Sequence, residues 1–111
     1  MKLRYLPINK ENLRKQPDYF TIEITDNILA FVVRWNEVGR FFSFDIYDED
    51  GGPILLGRKI VYASDMLSQV DIDAEILPVS KQEDAEAERT GITFDNFMRD
   101  VKPYIFTDSD D

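Results

Sequence analysis

The stretch Ile28–Leu56, which reads ILAFVVRWNEVGRFFSFDIYDEDGGPILL, decides the fold. Large apolar side chains recur at every second position along much of it, and two groups of turn-forming residues, Asn36–Gly39 and Glu49–Gly51, interrupt it. A period of two is typical of β-strands that bury one face, and glycine permits tight turns between antiparallel neighbours. The stretch therefore predicts consecutive antiparallel strands joined by short loops.

Turn lengths predict the register of these strands. Upstream, Tyr19–Ile24 alternates in the same way, and Asp26-Asn27 suits a two-residue turn because both residues tolerate positive φ. A slip of one residue would expose several large side chains at ~1.5–3 kcal/mol each, so we expect apolar residues to oppose one another. The expected pairs are Ile24–Leu29, Ile22–Phe31, Phe20–Val33, Val33–Phe42, Phe31–Phe44, Leu29–Ile46, Ile46–Ile54 and Phe44–Leu56. The result is a four-stranded meander over residues 19–61 with one strongly apolar face.

The other face of this meander is mixed in character. It carries Ile28, Ala30, Val32, Arg34, Phe41, Ser43, Asp45, Tyr47, Leu55, Gly57 and Val61. Such a face is usually covered in part by other segments or by a partner. The apolar residues available to cover it are Leu3, Tyr5, Ile76, Leu77, Val79, Tyr104, Ile105 and Phe106. We expect Arg34 to lie across from Phe41 in a cation–π contact, and Trp35 to cap the core end of the sheet.

Outside the meander the pattern predicts fewer regular elements. Ala74–Val79 and Val101–Thr107 read as strands, and Pro103 favours an edge position for the second of them. Thr93–Asp100 starts with a helix-capping threonine and sets apolar residues at helical spacing, which predicts one short C-terminal helix. The full prediction is a mainly β, single-domain (residues 1–111) antiparallel β-barrel or sandwich. Residues 80–90 are expected to form an acidic loop, and residues 108–111 a disordered tail.

Composition limits the function classes. The 111-residue chain has no cysteine and no histidine, which excludes disulfides and thiolate sites and removes the commonest metal ligand and general base. No apolar run approaches the ~20 residues of a membrane span, and no signal-peptide pattern opens the chain, so we expect synthesis in the cytoplasm. The net charge is −9, which disfavours contact with nucleic-acid phosphates and favours a basic partner.

The acidic residues Asp45, Asp48, Glu49 and Asp50 are the first candidates for chemistry. A calcium-loop spacing fails, because with Gly51 as the loop glycine the first and last ligand positions would hold Ile46 and Gly57. A hydrolase would need Asp45 paired with Asp48 or Glu49, and nothing in the sequence marks a pocket around them. We therefore predict no catalytic residue, no cofactor and no metal site.

Residues 19–67 resemble the phage baseplate plug family, small proteins of contractile-tail baseplates. The resemblance lies in a strand that ends in Arg-Trp-Asn, a glycine turn, an aromatic strand that ends in Asp-Ile-Tyr-Asp, an acidic glycine turn, and an Asp-Met-Leu turn at residues 65–67. The motif residues are Arg34, Trp35, Asn36, Gly39, Phe42, Phe44, Asp45, Tyr47, Asp48, Gly51, Pro53, Gly57 and Leu67. Most are turn and core positions, so they form a signature of the fold.

The resemblance implies a structural protein of a phage or of a phage-derived injection machine. Such a protein would lie at or near the baseplate hub, contact hub or tail-tube proteins, and help to close the lower end of the tail tube. It would be made in the host cytoplasm and reside in the virion. Two alternatives stay open: an acidic inhibitor that mimics nucleic acid, of the anti-restriction or anti-CRISPR type, and a carboxylate enzyme. A mimic requires carboxylates in regular rows near phosphate spacing.

Overall fold

A computed structural model describes residues 4–80 and 85–107. Within these ranges there are seven strands and one short α-helix: β1 Arg4–Tyr5, β2 Asp18–Ile24, β3 Asn27–Asn36, β4 Phe41–Tyr47, β5 Pro53–Lys59, β6 Ala74–Ser80, α1 Ala85–Thr90 and β7 Val101–Thr107. The strands form two antiparallel sheets, one in the order β2-β3-β4-β5 and one in the order β1-β7-β6. The predicted four-stranded meander is thus confirmed.

One hydrophobic core joins the two sheets. Phe31 and Phe44 of the four-stranded sheet belong to the same buried cluster as Ile76 and Ile105 of the three-stranded sheet, and Leu6 joins them. This arrangement confirms a mainly β single domain. Of the two architectures that the sequence left open, the sandwich is correct, since the described strands do not close into a barrel.

The registers of the first two hairpins differ from the predicted ones by two residues. Phe20 pairs with Phe31 rather than with Val33, and Phe31 pairs with Ile46 rather than with Phe44. The first turn is Thr25-Asp26, not Asp26-Asn27, with φ of 46° and 67°. Both residues therefore lie in the left-handed region that tight hairpins require. Because the slip is even, every side chain keeps its predicted face.

In the turn between β3 and β4, the absence of a side chain on Gly39 leaves room for a neighbouring ring. The left-handed residue is Arg40, with φ 59°, and not Gly39. A Cβ atom on Gly39 would lie 2.4 Å from the Phe41 ring, so the missing side chain makes room for that ring. The Asn36 side-chain oxygen accepts a hydrogen bond from the Gly39 N–H at 2.8 Å and closes the turn.

Two irregularities shift the pairing of β4 with β5. Ile46 pairs with Leu55 rather than with Ile54, and Phe44 pairs with Arg58 rather than with Leu56. Leu55 therefore packs against the core while Leu56 is 57% exposed. The prediction that Leu56 shares the buried face is wrong, because β-bulges add residues to one strand only and reverse the faces beyond them.

The three-stranded sheet covers the apolar face of the meander and not the mixed face. Ile76 and Ile105, expected over the mixed face, lie in the core with Phe31 instead. The expectation was wrong because burying the aromatic face removes more apolar area from water. The mixed face stays accessible, with Tyr19 66% and Ile28 43% exposed.

The C-terminal helix was predicted at the wrong place. Thr93–Asp100 forms turns, although Thr93 does accept a hydrogen bond from the Asn96 N–H at 3.1 Å as a capping residue would. Met98 has φ 67°, which ends any helical path, and its N–H donates to the Val101 carbonyl. The short helix lies at Ala85–Thr90, so the loop prediction is wrong there.

The final strand was predicted at an edge, and this too is wrong, because β7 lies between β1 and β6. Pro103 is accommodated opposite Pro78, a position at which neither residue needs to donate to the other. On the other side Pro103 only accepts, from the Leu6 N–H at 3.1 Å. The predicted disordered tail, residues 108–111, lies outside the described residues. Residues 81–84 of the predicted acidic loop lie outside them as well.

Phe42→Ala should lower the free energy of unfolding by about 3–5 kcal/mol, because Phe42 is fully buried and its loss leaves a cavity. Its ring centroid lies 4.4 Å from that of Phe97 and 4.7 Å from that of Trp35. Urea titration measures the change. The control Val38→Ala, at a 97% exposed turn residue, should stay within about 0.5 kcal/mol of wild type. A loss for Phe42→Ala no larger than that of the control contradicts this account of the core.

Candidate protein-interaction surface

Asp45 organises the centre of the mixed face, which we call the outer face of the four-stranded sheet. Asp45 is 4% exposed, and its carboxylate accepts three hydrogen bonds. They come from the Arg34 guanidinium at 2.6 Å, the Gly57 N–H at 2.7 Å and the Tyr47 hydroxyl at 3.4 Å. Four residues of the family motif thus meet at one point, where β3, β4 and the bulge of β5 are joined.

The electrostatics of Asp45 favour the charged form. Burial alone raises the pKa of Asp45, but the Gly57 N–H, the Arg34 guanidinium and the Tyr47 hydroxyl together outweigh burial and hold the pKa below its ordinary value. Gly57 has φ 64°, so this N–H is aimed by a backbone conformation that favours glycine. Asp45 is therefore committed to holding the sheet together, as are Arg34 and Gly57.

Asp48 shapes the β4–β5 turn in a similar way. Its side-chain oxygen Oδ1 accepts hydrogen bonds from the Asp50 N–H at 2.9 Å and the Gly52 N–H at 2.7 Å. Gly51 takes the left-handed conformation with φ 87°, as the predicted glycine turn requires. Pro53 begins β5 opposite Tyr47. The carboxylates considered for calcium or hydrolysis thus make structural hydrogen bonds at Asp45 and Asp48.

A shallow apolar depression lies on the outer face beside this turn. Tyr19, Ile28, Val32 and Tyr47 contribute to its lining, and its volume is about 350 Å³. Asp48 and Glu49 are its charged lining residues within the described part of the chain. Apolar side chains ringed by carboxylates make a surface that suits a protein partner with apolar and basic groups.

One end of the four-stranded sheet is acidic. The β2–β3 turn, the β4–β5 turn and the loop after Val70 meet there around a second depression. Its acidic lining residues are Asp26, Asp48, Glu49, Asp50 and Asp71, and no lysine or arginine lines it within the described ranges. Like charges gathered at three turns produce a negative potential that attracts basic surfaces.

At the opposite end of the four-stranded sheet, arginine side chains form ion pairs within the chain. The Glu37 carboxylate accepts hydrogen bonds from Arg14, Arg40 and the Trp35 indole N–H, each at 3.0 Å. The Arg14 guanidinium also lies 3.9 Å from the centroid of the Phe94 ring. These contacts pair the positive charges within the chain, so this end offers less free charge than the acidic end.

Lys10 ties the start of the chain to the segment before β7. Its ammonium donates to the Phe94 carbonyl at 2.7 Å and to the Asp95 carbonyl at 3.2 Å. Burial lowers the pKa of Lys10 more than the neighbouring Asp95 raises it. Lys10 therefore serves the packing of this end rather than a partner.

The two predictions about Arg34 and Trp35 had different outcomes. Trp35 packs on Phe42 and Phe94 at the margin of the core, as expected. Arg34 lies opposite Ser43 rather than Phe41, because of the two-residue register shift, and its guanidinium donates to Asp45. The cation over the Phe41 ring is Lys59, at 5.2 Å.

The remaining motif residues lie in the core and in turns. Phe42, Phe44 and Leu67 are buried, while Asn36 and Gly39 build the β3–β4 turn. The contribution of these positions to the function of the family stays a prediction. Sequence reasoning missed Glu37, which was placed only as a turn residue. The proximity of Arg14 to Arg40, which makes a shared carboxylate useful, depends on tertiary contacts.

No group of three or more acidic side chains within residues 4–80 and 85–107 is arranged to hold a metal ion. No helix in those ranges is both long and apolar enough to cross a membrane.

These features define a small β-sandwich that exposes an apolar, acid-rimmed surface. A family model described as cyanophage baseplate Pam3 plug gp18 matches residues 3–108, almost the whole chain. The chain therefore belongs to this family of baseplate plug proteins. Membership supports a structural role in the phage tail baseplate, with other baseplate components as partners. No curated protein sequence matches the chain.

Asp45→Asn should make the stability of the protein less dependent on acid. The folded-state pKa of Asp45 lies below its unfolded value, so its contribution to folding is present above about pH 4 and is lost as pH falls through the folded-state pKa. We expect Asp45→Asn to lower the free energy of unfolding at neutral pH by about 1–3 kcal/mol, a deficit that shrinks on acidification.

Urea titrations at neutral pH and at several acidic pH values measure this deficit. Glu49→Gln, at an exposed turn position, serves as the charge-matched control and should follow the wild-type curve. A deficit for Asp45→Asn that stays constant over the acidic range contradicts the assignment.

Proposed function

We propose that this protein is a non-catalytic plug subunit of a contractile-tail baseplate, which sits at or near the hub and helps to close the lower end of the tail tube. Its partners are hub or tail-tube proteins, and it resides in the virion after synthesis in the host cytoplasm. The single observation that carries the proposal is the family match over residues 3–108. The geometry adds a surface on which such a partner can dock.

The outer face supports a role built on protein contacts. Tyr19 on β2 and Ile28 on β3 expose large apolar areas and line the same depression, while the apolar side chains of β2 to β4 that face the other sheet are buried or half-buried. Exposed aromatic and aliphatic side chains beside charged rims are typical of protein interfaces. The carboxylates of Asp45 and Asp48, the best placed for chemistry, are used for internal hydrogen bonds.

The nucleic-acid mimic is the less favoured alternative because of where the acidic residues lie. Among β2 to β5, only Asp18, Glu23 and Asp45 are acidic, and Asp45 is buried. The acidic end is built from turns, so in the described residues the carboxylates do not line the strands in rows. A phosphate-like ladder of charges is therefore not formed by this sheet.

Ile28→Asp should remove the chain from tail particles while leaving it folded. Ile28 is 43% exposed and lies in the outer-face depression, so a carboxylate there adds charge to an apolar contact without opening the core. We expect its incorporation into purified tails to fall at least about tenfold, as for truncation of an interface hot spot. Complementation of a phage that lacks the gene, followed by quantitative mass spectrometry of its tails, measures this.

The matched control is Val38→Asp, which adds the same charge at an exposed turn residue at the opposite end of the sheet. It should be incorporated like the wild type. Absence of the wild-type chain from purified tails overturns the proposed function itself. Equal incorporation of both variants would instead exclude the outer face as the contact surface.

A further inference from the structure

The strand β2 is an edge with unused hydrogen-bonding groups. It pairs only with β3, and hydrogen-bonded and non-hydrogen-bonded pairs alternate from the two-residue turn at Thr25-Asp26. This alternation directs the N–H and C=O of Tyr19, Thr21 and Glu23 away from β3. The Glu23 carbonyl accepts from the Arg4 guanidinium at 3.2 Å, and the other five groups have no partner in the described part of the chain.

The other described edges are protected by familiar devices. β5 starts with a proline, is interrupted by bulges and ends in Arg58 and Lys59. The outer edge of β6 is covered, since the Met66 N–H donates to the Ile76 carbonyl and the Asp65 carboxylate accepts from the Ile76 N–H, both at 2.9 Å. β1 is only two residues long.

β2 has neither a proline nor a bulge, and its charged side chains are carboxylates rather than lysine or arginine. It has seven residues in unbroken register with β3, without proline or bulge. An open, regular edge of this kind is a template for another strand. Natural proteins block such edges unless a partner occupies them, so β2 is the edge at which strand addition is expected.

The charge of the edge indicates the chemistry of the partner. β2 contains Asp18 and Glu23 and no lysine or arginine, and its turn adds Asp26. A second copy would bring the same carboxylates and another net charge of −9, which opposes pairing of two chains. A strand that carries lysine or arginine would gain attraction instead.

We propose that β2 accepts an extended, basic strand of another baseplate protein, which continues the four-stranded sheet beyond Tyr19 and Thr21. This inference rests on the proposed function, because it takes the partner from the assembled baseplate. The backbone groups of the edge supply affinity by strand addition, and the adjoining Tyr19 side chain supplies apolar contact on the outer face. Arg4 limits the free edge on the side of Glu23, and the Asn9 N–H, which donates to the Asp18 carboxylate at 2.9 Å, limits it at the other end.

Amide hydrogen exchange tests the proposal without knowledge of the partner. Exchange is measured at single-residue resolution for the free chain and for the same chain in isolated baseplates. We expect the amides of Tyr19, Thr21 and Glu23 to exchange at least about tenfold more slowly in baseplates, because new hydrogen bonds protect them. The exposed Val38 amide serves as the reference for a group outside the edge.

A pair of variants separates the backbone from the side chain at the edge. Thr21→Pro removes an outward N–H without breaking a bond to β3, whereas Thr21→Ala removes the side chain and keeps the N–H. Incorporation of Thr21→Pro into tails should fall at least about tenfold, and Thr21→Ala should be incorporated like the wild type. Thermal unfolding of the free variants shows whether each is folded.

The outcomes are distinct. Unprotected β2 amides in baseplates that contain the chain overturn this inference and leave the proposed function standing, whereas baseplates without the chain overturn the proposed function. Protection of these amides that increases with the concentration of the purified chain would show that a second copy pairs with β2. That result would contradict the proposal that the partner is a basic strand of another protein. If Thr21→Pro fails to fold, the exchange measurement on the wild type decides alone.

Discussion

The alternation of side chains along β2, β3 and β4 is the constraint on which the rest of the structure depends. Phe31, Val33 and Phe44 are fully buried because each occupies an alternate position that faces the three-stranded sheet. Pairing can slip by two residues without moving any of them to solvent, whereas a slip of one would expose them all. The alternation therefore determines which side chains face the core more strictly than it determines which residues pair across the strands. Among the registers that differ by two residues, the conformation of the turn selects one.

Where this alternation is interrupted in β5, the buried carboxylate of Asp45 stabilises the strand by hydrogen bonding. The bulge at Gly57 reverses the faces of β5, and Asp45 holds that bulge through the Gly57 N–H. A carboxylate at this depth is costly unless it is fully paired, and Arg34 and Tyr47 complete the pairing. The irregular strand is thus held in register by polar contacts on the outer face rather than by apolar packing alone.

This balance explains what the sequence could predict. The meander, its aromatic core and the strands Ala74–Ser80 and Val101–Thr107 follow from period and turn residues, which are local signals. The bulge, the central position of β7 and the turns at Thr93–Asp100 depend on contacts between distant segments, which a local pattern does not contain. For the candidate site, the mixed face and its residues were predicted, but not which face the second sheet would cover. The open edge of β2 follows only from knowing where every other strand pairs.

The acidic surface and the open edge are best understood together. A regular strand edge invites association between copies, and this chain has no proline or bulge on β2 to prevent it. Repulsion between chains of net charge −9 supplies the missing protection at a distance, without altering the edge itself. A proline or bulge would block every partner equally, whereas charge blocks only acidic ones. Under the proposed strand addition, charge therefore opposes association of two copies and leaves the edge open to a basic strand.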